Sequence, residues 1–138
     1  MYQKLSPTVL IGAIQRQIEE KTGLRCYDYV EPNTPSPFYF AALIKTTPAN
    51  TKTMYVDKYT VWIHAIAEAG KDAGGSVKVY DLINKLQEAM TEDITLPEQF
   101  DMVMQTDGGI QTIKTDESGE KHAVITYEFM ICYGFKCK

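Results

Sequence analysis

Apolar positions recur along this chain with two periods, and the changes between them mark out its elements. Leu10, Ile11, Ile14 and Ile18 fall at helical spacing, with Gln15, Arg16, Glu19 and Glu20 on the opposite side. Ser6 before Pro7 reads as an N-cap followed by a first-turn proline, and Gly23 reads as the stop, so the pattern predicts a helix over Pro7–Thr22. Residues 24–30 mix strand formers with charge and predict a short edge strand. It is ended by Pro32, Pro35 and Pro37, whose spacing forbids helix and ladder pairing and leaves an extended surface connection. The aromatic and apolar run 38–44, bounded by Pro37 and Pro48, predicts a strand buried on both sides or close to it and continuing to Thr46.

A polar tip over 47–53 leads into a long strand, 54–68, that closes a hairpin. Its odd positions Tyr55, Tyr59, Val61, Ile63 and Ala65 make a core face, and its even positions Lys58, Thr60, Trp62, His64 and Glu68 make a mixed one. The glycine-rich segment 70–76 ends on Ser76, a candidate N-cap. Beyond it Val79, Leu82, Ile83, Leu86, Ala89 and Met90 predict a second amphipathic helix, with Asp81 and Lys85 paired on its solvated side. Two strands, 100–105 and 110–114, flank Asp107-Gly108-Gly109, which suits a tight turn or a bulge. A hairpin turn at 116–120 then opens the strongest alternation of the chain, 121–136. Ala123, Ile125, Tyr127, Phe129, Ile131, Tyr133 and Phe135 lie on one face, and His122, Val124, Thr126, Glu128, Met130 and Cys132 on the other.

These elements predict an α+β fold in which two amphipathic helices pack on one face of a mostly antiparallel sheet, leaving the other face mixed. The chain of 138 residues sits below the roughly 150 expected per domain, so one domain spanning residues 1–138 is expected. Its 44% hydrophobic content supports a core without staples. A net charge of −4 is the wrong sign for affinity built on phosphates, and neither helix offers a basic recognition face, so no sequence-specific nucleic acid is expected as a partner. No apolar stretch approaches the roughly 20 residues that span a bilayer, so no membrane partner is expected either. Three cysteines, Cys26, Cys132 and Cys137, without a secretory leader read as reduced intracellular thiols.

Candidate chemistry is sparse. His64, His122 and the cysteines do not show metal-ligand spacing, since Cys132 and Cys137 lie an odd number of residues apart on a strand. Nothing local brings either histidine to a nucleophile, and no phosphate loop, nucleophile elbow or zinc helix is present. Asp107, Asp116, Glu117 and Glu120 lack the ordered spacing of a calcium loop and read as solvated turn carboxylates. No catalytic residue, metal or cofactor is therefore expected. Most of the nine tyrosines fall on strands, where β-propensity selects them, whereas Trp62 beside His64 on the mixed face suits either a contact between subunits or an ordinary covered aromatic.

The order of elements runs from a capped helix through a proline-rich entry to Pro37-Phe38-Tyr39-Phe40 and a hairpin ending in Tyr59-Thr60-Val61-Trp62-Ile63-His64. A glycine turn and Val79-Tyr80-Asp81-Leu82-Ile83-Asn84-Lys85-Leu86 follow. Over residues 5 to 137 this arrangement resembles the tail-completion, or head-to-tail joining, proteins of long-tailed bacteriophages and prophages. The resemblance implies a structural virion protein, made in the bacterial host cytoplasm, that caps the tail tube as a six-fold ring at the head-tail junction. Its partners would be further copies of itself, the tail tube protein and the head connector or stopper. An acidic ring would also let DNA slide through its lumen without sticking. Trp62, His64, Glu128 and Met130 on the mixed face, with Lys52 and Asp116 in loops, are then the expected contact residues. A different class also fits: a small intracellular enzyme or ligand-binding domain using the mixed face as a pocket, with His64 or His122 acting in it.

Overall fold

A computed structural model describes residues 2–31, 33–68, 77–116 and 119–136. Among these, α1 (Pro7–Thr22), β1 (Cys26–Tyr27), β2 (Phe38–Pro48), β3 (Met54–Ala67), α2 (Val77–Ala89), β4 (Asp101–Thr115) and β5 (Lys121–Phe135) follow one another along the chain. The fold is α+β, and its sheet has the order β1-β2-β3-β5-β4, antiparallel except for the parallel pair β1–β2.

Helix α1 begins and ends where its sequence signals lie. The Ser6 side chain accepts from the Val9 N–H, while Gly23 takes the left-handed conformation at φ 76° and returns its N–H to the Glu19 carbonyl. Leu10, Ile14 and Ile18 are fully buried beside Ala13 and Gln17. Gln17 is the exception to the apolar stripe, and its amide donates to the carbonyls of Ala89 and Glu92, supplying partners at the C-terminal end of α2. Both helices pack on the odd face of the sheet, where Tyr59, Val61, Ile63 and Ala65 of β3 meet Ala123, Ile125, Tyr127, Phe129 and Ile131 of β5. Two tyrosines on this face complete their hydrogen bonding inside the core, Tyr39 donating to the Leu82 carbonyl at 2.7 Å and Tyr59 to the Leu5 carbonyl at 2.8 Å.

The structure corrects several local expectations. The edge strand expected over 24–30 pairs only at Cys26 and Tyr27, because Arg25 and Asp28 on either side belong to the surface. Strand β2 is buried at Phe38, Tyr39 and Ala41, half-buried at Phe40, Ala42 and Leu43, and exposed from Ile44 onward, so the cover stops before the run ends. The strands expected at 100–105 and 110–114 are one strand, β4, with a register shift between Asp107 and Gly109. The glycine pair makes the bulge rather than the turn: Gly109 sits at φ 91°, and a side chain on Gly108 would crowd the Thr126 backbone. A second shift, at Tyr55/Val56, leaves Tyr55 half-exposed and buries Val56 opposite Cys132. Phe135, expected on the core face, is exposed where β5 runs past the helices. The Ser76 cap with its glycine turn, and Glu117 and Cys137, lie outside the described residues.

Candidate functional site

The sheet face opposite the helices is built in rows, since residues directly paired across strands project on the same side. Phe40, His64, Val124 and Thr112 share one row, and Ala42, Trp62, Thr126 and Gly109 the next. Lys45, Thr60, Glu128 and Thr106 follow, then Thr47, Lys58, Met130 and Met104. Four of the expected contact residues, His64, Trp62, Glu128 and Met130, therefore stand in four successive rows of one surface, in the two central strands. The other two stand in loops at opposite ends of the sheet, Asp116 lining one pocket with the His64 neighbours Phe40 and His122. Lys52 is exposed at the β2–β3 tip, and Asp116 is exposed in the turn between β4 and β5, at the opposite end of the sheet.

Trp62 keeps 37% of its surface exposed, a large value for an indole on a central strand. Across the strands it pairs with Ala42 and Thr126, and further along the face Lys58 and Glu128 form an ion pair at 3.4 Å, each about one-third exposed. At the His64 end the face changes character. His64 Nδ1 and His122 Nε2 lie 2.7 Å apart, within hydrogen-bond distance, and the His64 ring is 5.0 Å from that of Phe40. Burial first, and the neighbouring His122 second, pull the His64 pKa down to about 4, so the imidazole is neutral at physiological pH. The two histidines, 58 residues apart in sequence, meet because Ile66 pairs with His122 and His64 with Val124, which sets them diagonally on one face.

This end is partly roofed. The connection from β1 to β2 brings Val30, Glu31, Asn33 and Thr34 to the rim of an open pocket of about 380 Å³, lined by Phe38, Phe40, Ile66 and His122 together with Asp116 and Glu120. That cover explains why Phe38 and Ile66 are buried on the nominally open face. It also leaves Trp62, Glu128 and Met130 outside it, in the uncovered part.

Burial pushes the Cys26 thiol up to about 12, with Glu19 adding to the effect, so it is protonated and inert at neutral pH. Cys26 and Cys132 are both free and buried. Among the described residues no group of three or more His, Cys, Asp and Glu converges as a metal site, and no helix is long and apolar enough to cross a membrane.

One residue of consequence escaped the pattern analysis. Asp57 occupies an odd, core-face position of β3 and is only 1% exposed, with Lys4 Nζ 3.4 Å from its Oδ2 as countercharge. The signal was an acid interrupting an otherwise apolar alternation, 55-59-61-63-65. Lys4 comes from the N-terminal segment, which crosses the end of the sheet; Tyr2 there donates to the Phe135 carbonyl and lays its ring over Gly134.

Comparison with known proteins places this architecture. No curated protein sequence matches the chain. Its fold is shared with a chain from a structure titled "Virion of native gene transfer agent (GTA) particle", at TM-score 0.64 and 16% identity, covering 92% of this chain and 99% of that one. A phage family described as "Putative tail termination protein" matches residues 1–138, the whole length. The chain belongs to this phage tail terminator family, as a structural virion protein of the tail.

Proposed function

We propose that the protein caps the tail tube and joins the tail to the head connector, as one subunit of a six-membered ring at the head-tail junction. The family match over residues 1–138 carries this reading. The surface supports it: a sheet with helices on one side keeps an exposed tryptophan and an ion pair on the other, and such a face is stabilised by a protein neighbour. Trp62, Glu128 and Met130 form the central contact, His64 borders it, and Lys52 and Asp116 reach neighbours from opposite ends of the sheet. The tube protein below and the connector above are the partners, and the role is structural rather than catalytic.

Deleting the gene in its phage or prophage and imaging the induced lysate by negative-stain electron microscopy tests the reading. Filled heads separate from tails, with joining restored when the gene is supplied in trans, are expected. Normally joined virions would overturn it.

A further inference from the structure

The sheet has two open edges of different kind, and they lie at the same level. On one side β4 is an edge strand of 15 residues along its whole length. On the other side β1 covers β2 only at Tyr39 and Phe40, so the later part of β2 is an edge as well. The rows connect these two stretches directly: Lys45 lies level with Thr106, Thr46 with Gln105, Thr47 with Met104 and Pro48 with Met102. Residues 45–48 and 104–107 are free of register shifts, whereas shifts occur between Leu43 and Lys45 and on both sides of 104–107. Bulges blunt an edge against pairing, and here they leave one regular stretch on each edge, at matching height. Beyond residue 107 β4 carries two of its three shifts, and the second of them, between Ile110 and Thr112, reaches the level of Phe40, which β1 covers.

Direction agrees as well. Each of the pairs β2–β3, β3–β5 and β5–β4 is antiparallel, so β4 runs opposite to β2. A second copy related by rotation about an axis along the strands therefore presents its β2 antiparallel to β4. Met104, 54% exposed, and Thr47 then meet on the face that carries Trp62.

We infer that residues 104–106 of one copy pair with residues 45–47 of the next, continuing the sheet from subunit to subunit. The joint uses a different edge on each partner, so it is head-to-tail, and repetition closes a ring when the rotation allows. This rests on the ring reading above and adds to it the surface that makes the joint.

Cysteine pairs test the joint in assembled tails. Thr47→Cys with Met104→Cys, and Thr47→Cys with Thr106→Cys for a register two residues away, are introduced with Cys137→Ser; the other two cysteines are buried. Facing residues on paired strands have the Cα separation a disulfide needs. After mild oxidation of purified tails, one double variant should lose its monomer band to a reducible ladder of multimers, while each single variant stays monomeric. Dimers from Met104→Cys alone would mean that β4 meets its own copy across a two-fold, and would overturn the inference. No disulfide from either pair, in tails where an amine-reactive reagent still links the copies, would also overturn it while the ring stands. No linkage by any reagent would remove the ring itself. Hydrogen exchange on unaltered tails gives a variant-free check: amides within 45–47 and 104–106 should be protected in tails and exchange freely in the isolated chain.

Discussion

At the scale of single residues, two ionisable groups, the buried Asp57 and the half-buried His64, contribute to stability, and they act in different ways. Asp57 is held in the core by the charge of Lys4, and among the described residues its oxygens have no hydrogen-bond donor. Removing the lysine strands a buried carboxylate, which is the expensive half of breaking such a pair. Because Lys4 is itself mostly exposed, Lys4→Ala is expected to cost about 1–3 kcal/mol by urea denaturation, less than for a pair buried on both sides. Adding Asp57→Asn should recover part of that loss, since a neutral amide is cheaper to bury alone. His64 works through protons. Its folded pKa of about 4 lies below the ordinary 6.5, so the folded chain binds fewer protons than the unfolded one between those values. Its stabilisation is complete above pH 6.5 and is lost as pH falls toward 4, amounting, after allowance for solvent screening of a half-buried ring, to about 1 kcal/mol by pH 5. A plot of unfolding free energy against pH should slope down between 6.5 and 5, and His64→Gln should flatten that slope.

At the scale of elements, one side chain ties the edge strand β4, itself held by its ladder to β5, to the end of α2. Gln105 accepts from the Ile94 N–H and donates to the carbonyls of Met90 and Glu92, clamping the end of α2 and the following segment onto the sheet. Gln105→Leu keeps the size and leaves three backbone groups without this partner. A loss of about 1–3 kcal/mol is expected, with faster hydrogen exchange at Ile94 than in the parent protein. Elements of this kind also show what a sequence discloses. Helix α1 was legible to the residue because its cap, proline and glycine are local chemistry, and β3 and β5 were legible because a period of two persists over many positions. Strand β4 was not. Its outward position leaves most of its residues exposed, so no alternation is imposed, and glycines that suit either a turn or a bulge leave open whether one strand or two is present; they form the bulge. The joining of His64 to His122, and the seating of Asp57 against Lys4, depend on strand register and on where the N-terminal segment crosses, and neither is written in local spacing.

At the scale of the whole molecule, the two faces of the sheet divide the work. The helix side holds the large fully buried side chains Tyr39, Tyr127, Phe129, Ile63 and Ile125, so folding depends on it, while the outer rows around Trp62 are spared that duty. Substitutions on the two faces should therefore separate stability from assembly. Phe129→Ala, which opens a cavity in the core, is expected to cost about 3–5 kcal/mol and to lower the amount of folded protein. Trp62→Ala and Met130→Ala remove side chains that are only partly covered, and each should shift the unfolding free energy by about 1 kcal/mol or less. If the outer face is a subunit contact, the same two changes nevertheless reduce the yield of joined virions when they replace the parent gene, and their combination reduces it further. Fully joined particles carrying a folded Trp62→Ala, Met130→Ala chain would show that the outer face is not the contact, and would leave the strand edges and the loop tips as the surfaces that hold the ring.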